Sequence, residues 1–112
     1  MNFVPWRGDF TRGIFVSSQL KSDLSLNELY DLYSIFYEQH PFVTVSKDPI
    51  SLKQVVNTNK CLLHLEVHDG QLLITSVIDN LTKGASGHAV QNMNLVFGLP
   101  EDAGLRLKAV AF

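Results

Sequence analysis

At 112 residues and 12.5 kDa the chain is long enough for one domain and too short for a nucleotide-binding domain plus a substrate domain. Nine Lys and Arg against eleven Asp and Glu give a formal charge of -2 with no run of like charges longer than two, which excludes the electrostatic footprint of a nucleic-acid binder. Charged residues make up 18% and hydrophobic residues 46%, so the chain can fill a core and leave part of its surface as an interface.

Residues 1–5 form neither a basic leader nor the apolar run of a signal peptide, and no apolar run approaches the length of a membrane span. The lone Cys61 has no partner for a disulfide or a Cys-X-X-Cys pair, so a reduced, cytoplasmic protein with no membrane contact is expected. Residues 3–12 mix aromatics with Pro5, Gly8 and Asp9, and Arg12-Gly13 bends the chain into a strand over residues 13–20. Ser25 with Glu28 has the reciprocal spacing of a capping box. Apolar residues at 26, 29, 32, 33, 36 and 37 then predict a helix with one buried stripe, stopped before Pro41.

Residues 42–45 read as a short strand and 51–58 as a weak strand or a connection. Residues 61–68 and 71–78 alternate at period two around Asp69-Gly70, the signature of an antiparallel hairpin. After Asp79-Asn80, Ala85, Ala89, Met93 and Val96 share a helical face that ends before Gly98 and Pro100. Alternating Leu105, Leu107 and Ala109 suggest a last edge strand within residues 103–112. The outline is an α+β fold, a mixed and mainly antiparallel sheet with helices on one face.

His64 and His68 invite a metal reading, but four strand residues separate them by about 13 Å at roughly 3.3 Å per residue. With only Glu66 between them they make poor co-ligands, so no metal site is expected and a solvated or interface sheet face is the better reading. His40, at a helix end, is expected to meet terminal carbonyls. Cys61 lacks an adjacent base and reads as an inert thiol.

Residues 79–92 are the most unusual stretch. Small residues at Gly84, Ala85, Ser86, Gly87 and Ala89 imply close approach, either by tight helix packing within the domain or by a ligand or second domain. Free backbone donors at the start of this helix, with Lys83 and Asn80, would suit an anion. If the close approach comes from outside, Gly87→Leu should add no clash within this chain. Arg7 and Arg12 bracket Gly8, Asp9 and Phe10, where a guanidinium can meet a carboxylate or phosphate, or remain a plain surface charge.

At these residues the chain resembles the C-terminal part of the N-acetyl-gamma-glutamyl-phosphate reductase family. Residues 4–14, Val-Pro-Trp-Arg-Gly-Asp-Phe-Thr-Arg-Gly-Ile, are similar to its proline-led stretch ending in Thr-Arg-Gly-Ile, and Asn57-Thr58-Asn59-Lys60-Cys61 is similar to the stretch before its sheet hairpin. The longest likeness is Asp79-Asn80-Leu81 with Lys83-Gly84-Ala85-Ser86-Gly87, Ala89-Val90-Gln91-Asn92-Met93-Asn94 and Phe97-Gly98-Leu99-Pro100. His88 stands where the family commonly has glutamine, and Trp6-Arg7-Gly8-Asp9 departs from its usual His-Leu-X-Pro.

The resemblance implies a fold of the glyceraldehyde-3-phosphate dehydrogenase C-terminal type, with residues 1–112 a single partial catalytic and dimerisation domain. The NADP-binding Rossmann domain, the nucleophilic cysteine and the catalytic histidine would lie upstream, so no catalytic residue is expected within the chain and the isolated piece should be inactive. In the whole enzyme the upstream cysteine would displace phosphate from the acyl phosphate of an N-acylated glutamate, and hydride from NADPH would reduce the resulting thioester to the semialdehyde. The same resemblance assigns Arg12 and Arg7 to substrate binding and Asn80, Lys83, Gly84 and Gly87 to the cofactor side, with NADP(H) held only by the full-length enzyme. It also implies a homodimer or homotetramer in arginine biosynthesis. A non-catalytic oligomerisation or regulatory domain, using the face bearing His64, Glu66 and His68, is the competing reading.

Overall fold

The computed structural model describes residues 1–109. Its centre is the hairpin the alternating sequence predicts. Strand β4 (Cys61–His68) turns through Asp69 and Gly70, at φ 49° and 72°, into β5 (Gln71–Ile78), and two consecutive positive φ values match the right-handed twist of the paired strands. Strand β2 (Ile14–Lys21) pairs antiparallel with β5, β1 (Asn2–Trp6) pairs antiparallel with β2, and the short β3 (Val43–Ser46) lies parallel to β4. The spatial order is β1-β2-β5-β4-β3. β1 is a strand that the aromatic and proline-bearing sequence does not advertise, and all five of its residues are exposed. Pro5 is tolerated there because an edge strand has one row of unpaired backbone groups.

Helix α1 (Leu26–Tyr37) begins as predicted. The Glu28 N–H donates to Ser25 Oγ, and the Ser25 N–H donates to the Glu28 carboxylate at 2.8 Å. Its buried residues are Leu29 and Tyr30, which pack with Leu65 and Leu72 and are flanked by Leu20, Val45, Val67 and Ile74. By strand alternation all these sheet residues point to one face, and the other face carries Val4, Trp6, Phe15, Ser17, Leu73, Thr75, His64, Glu66 and His68, with Val77 buried toward one end, where Gln54 lies beside Thr44 and Leu62. The single buried stripe expected along α1 is corrected: Leu32 and Phe36 are 56% and 68% exposed, because the helix rests on the short edge strand β3 and on β4 and rolls these positions outward.

Residues 51–58 contain a 3₁₀ turn, Leu52–Gln54, and no strand. The last helical run is a π-helical turn, Thr82–Ser86, continuing into α2 (Gly87–Val96). The helical face that Ala85, Ala89, Met93 and Val96 share lies on the outside. Ala85 and Ala89 are exposed, Met93 is 46% and Val96 79% exposed, and the residues facing inward are Gly87 and Asn94. Residues 101–105 form turns and 106–109 no regular element, so the expected tail strand is absent up to residue 109, and residues 110–112 lie outside the described part. Leu105 anchors this tail, buried beside Asn59, whose Nδ2 donates to the Leu105 carbonyl at 2.9 Å.

Candidate functional site

The strands β2, β4 and β5 share an end at Ile14, Cys61 and Ile78, and the loops leaving that end bring Arg12, Asn57, Asp79, Asn80 and Thr82 together. Asp79 is the hub. It follows the last residue of β5 and is fully buried, and its carboxylate accepts from four donors. Oδ1 takes Arg12 Nη2 at 3.0 Å, the Leu81 N–H at 2.8 Å and the Thr82 N–H at 2.6 Å, and Oδ2 takes the Asn57 N–H at 2.7 Å. Burial alone would favour the neutral acid. The Arg12 guanidinium and the three N–H donors outweigh it and hold the carboxyl well below the ordinary carboxylate range.

Arg12 is held by Nη2 alone, which also donates to Thr82 Oγ1 at 3.1 Å. Its Nε is buried without a partner, and Nη1 has none among the described residues, while the side chain as a whole is 29% exposed. Asn80 is tied to the same bend: the Gly13 N–H donates to its Oδ1 at 2.8 Å. That bond fixes the amide orientation and leaves Nδ2 a donor with no partner among the described residues. Gly13 itself has φ 111°, a conformation open to glycine and strained for other residues. Arg7 lies on the exposed loop between β1 and β2, and none of the hydrogen bonds of this cluster involves it.

The free helix-start donors expected after Asn80 are therefore not free, because Asp79 occupies the N–H groups of Leu81 and Thr82. Lys83 also points elsewhere. Its Nζ donates to Gln91 Oε1 at 2.6 Å and sits 5.2 Å from the centroid of the Phe42 ring, with Gln91 Nε2 donating in turn to Glu101. Burial lowers the Lys83 pKa, opposed by Cys61 and Glu101. Cys61 is half-buried and burial pushes its thiol up despite Lys83, the reverse of what a thiolate nucleophile needs.

Gly84 is exposed, and with Ala85 and Ser86 it presents backbone with little side-chain cover. Gly87 is the opposite case. A Cβ there would lie 1.6 Å from Asn59 Oδ1 and 2.8 Å from the Thr82 carbonyl, so its small size serves packing inside this chain. The expectation that Gly87→Leu adds no clash is thereby corrected. Asp79 and Asn57, which carried no role in the sequence reading, build the site, and Asn59 packs against α2 at Gly87 and holds the tail at Leu105. The sequence signal was an Asp two and three residues ahead of new N–H donors, as at a helix cap; the positive φ of 61° at Asn57 shows only in the structure.

On the sheet face opposite α1 Glu66 lies between two imidazoles, 3.4 Å from His64 Nε2 and 3.6 Å from His68 Nε2. His64 is buried, and its Nδ1 lies 3.0 Å from the Ser46 carbonyl and 3.3 Å from the Tyr30 hydroxyl. Among the described residues no group of three or more His, Cys, Asp or Glu is arranged to hold a metal ion, and no helix is long and apolar enough to cross a membrane. His40 meets the terminal carbonyl of Tyr37 through its backbone N–H, at 2.9 Å, while its ring stacks on Phe36 and meets Tyr37 edge-on.

Residues 1–80 match the family described as semialdehyde dehydrogenase, dimerisation domain. The whole chain is 55% identical to the N-acetyl-gamma-glutamyl-phosphate reductase of Phocaeicola vulgatus, covering 35% of that protein. It is 56% identical over 110 residues to the enzyme of the same name from Flavobacterium johnsoniae, covering 34% of it. The chain thus spans about a third of the length of the curated relatives it matches. Among solved structures, aspartate semialdehyde dehydrogenase II from Vibrio cholerae superposes on 78% of the chain with a TM-score of 0.59 at 18% identity, covering 28% of that protein; this likeness is one of fold.

Proposed function

The chain belongs to the semialdehyde dehydrogenase dimerisation-domain family, and from that premise we propose that it is the self-associating domain of an NADP-dependent N-acetyl-gamma-glutamyl-phosphate reductase of arginine biosynthesis in the cytoplasm. The observation that carries this reading is the 55% identity, over every residue of the chain, to relatives bearing that name. The whole enzyme would convert N-acetyl-L-glutamyl 5-phosphate, or a close N-acyl analogue, to the semialdehyde and phosphate. Residues 1–112 are then one partial domain, with the Rossmann domain, the nucleophile and the base supplied by a further part of the polypeptide.

The cluster at the sheet end fits one portion of a nicotinamide dinucleotide. Asn80 offers a fixed amide donor, and the exposed backbone of Gly84 and its neighbours allows a flat ring to approach. It offers no phosphate cradle, since Asp79 occupies the nearby N–H groups. When bound, the dinucleotide supplies hydride for reduction of the acyl carbon. What this chain adds is orientation: Arg12 presents Nη1 toward a substrate carboxylate or phosphate, Arg7 adds positive potential from the exposed loop, and Lys83 and Gly87 act through the packing of α2.

Self-association would use the sheet face opposite α1, with a second copy of the chain as its occupant. Val4, Trp6, Phe15, Leu73 and Thr75 leave that face partly apolar, and the family is described by its dimerisation.

The test is a phosphate-dependent assay of the full-length reductase, following NADP reduction with N-acetyl-L-glutamate 5-semialdehyde. Turnover is expected from the full-length protein and none from residues 1–112, and Cys61→Ser should leave the full-length rate within about twofold because a raised thiol pKa disqualifies it as nucleophile. Turnover by the isolated chain that is abolished by Cys61→Ser would overturn the assignment.

A further inference from the structure

The Asp79 carboxylate touches three separate segments of the site, and among its contacts is Arg12, the group that the proposed reaction would use for the substrate anion. It holds Arg12 at one guanidinium nitrogen, 3.0 Å away, and so leaves Nη1 unspent. It holds the N–H groups of Leu81 and Thr82, which sets the start of the π-helical turn directly after Asn80. It holds the N–H of Asn57, which places the turn leading to β4. Thr82 Oγ1 adds a second tether on the same Arg12 nitrogen at 3.1 Å, so the guanidinium is held from one side by two acceptors.

An arginine without such tethers spreads over many rotamers and gives up much of its binding to their loss when a ligand is bound. We infer that Asp79 is a positioning residue of the reductase site: it preorganises Arg12, through Nη2, so that Nη1 meets an anionic group of the substrate. This rests on the reductase reading for the identity of the substrate, whereas the tethering of Arg12 is independent of it.

Two measurements separate the parts. In residues 1–112, arginine side-chain NMR should show restricted Nη rotation for Arg12, and inorganic phosphate should shift its Nε–H signal saturably. Asp79→Asn should restore free rotation and abolish the phosphate shift while the backbone spectrum stays dispersed. Equal phosphate shifts in the two proteins would overturn the inference, whatever the enzyme's substrate. Should Asp79→Asn fail to fold, Thr82→Val removes one tether and leaves Asp79 in place, and the same loosening, smaller in size, is expected.

In full-length enzyme that passes the turnover assay above, Asp79→Asn should raise the KM for N-acetyl-L-glutamyl 5-phosphate about tenfold and leave that for NADPH nearly unchanged. Combined with Arg12→Lys it should add little to the effect of Arg12→Lys alone, because both act through one guanidinium. A lower melting temperature with an unchanged substrate KM, or effects that multiply, would reduce Asp79 to a structural residue. Absence of turnover in the unsubstituted full-length protein would refute the reductase reading and leave the phosphate experiment to decide the role of Asp79.

Discussion

Asp79 carries its charge where water has been excluded, and it stays charged because Arg12 and three backbone donors replace the lost hydration. Its folded pKa lies below the unfolded value of about 3.9, so its stabilisation is complete above about pH 4 and fades as the pH falls toward the folded value. Asp79→Asn should cost about 3 kcal/mol near neutral pH, since an amide cannot accept on both sides and leaves a donor facing N–H groups. Urea titrations of both proteins should show this difference narrowing below about pH 4; a gap independent of pH would contradict the charge assignment. Asn59 and Gly87 make a second residue-scale pair. Gly87→Ala places a methyl group 1.6 Å from Asn59 Oδ1, and thermal unfolding should show a loss of about 1–3 kcal/mol. The sequence displays Arg12, Asn80 and the small residues because their chemistry is distinctive. It does not display Asp79 as hub, because a carboxylate after a strand reads equally as a turn residue until the loops from positions 12, 57 and 82 converge on it.

The elements set by local signals agree with the sequence. The hairpin needs two positive φ values and has Asp69-Gly70, and α1 needs reciprocal capping and has Ser25 with Glu28. The elements that depend on distant partners were less legible. β1 exists because β2 offers it an edge, while the outward roll of Leu32 and Phe36 and the inward turn of Gly87 and Asn94 follow from what each helix rests on. Tyr30 shows how α1 is joined to the sheet. Its hydroxyl lies 2.9 Å from the Ser46 carbonyl and 3.1 Å from that of Leu65, at the point where β3 ends and β4 runs on without a neighbour. Tyr30→Phe should destabilise the chain by about 1–3 kcal/mol, the cost of leaving a buried acceptor unmet. Chemical denaturation measures this directly, and amide exchange should quicken first around Ser46 and Leu65.

At the scale of the molecule, α1 closes one sheet face and leaves polar and apolar side chains on the other. A second copy sits there in our proposal, whereas the outer stripe of α1, with Ile35 74% exposed, is a separate apolar surface. The two surfaces can be told apart by substitution. Leu73→Lys lies opposite Glu66 in the β4–β5 register, so the fold gains an opposite-charge neighbour while a dimer through that face gains a buried charge. Ile35→Glu perturbs only the helix surface. Sedimentation velocity of residues 1–112 across micromolar concentrations is the direct measurement. A reversible dimer that Leu73→Lys dissociates and Ile35→Glu leaves intact is expected; a concentration-independent monomer, or a dimer lost with Ile35→Glu and retained with Leu73→Lys, would contradict self-association through the sheet.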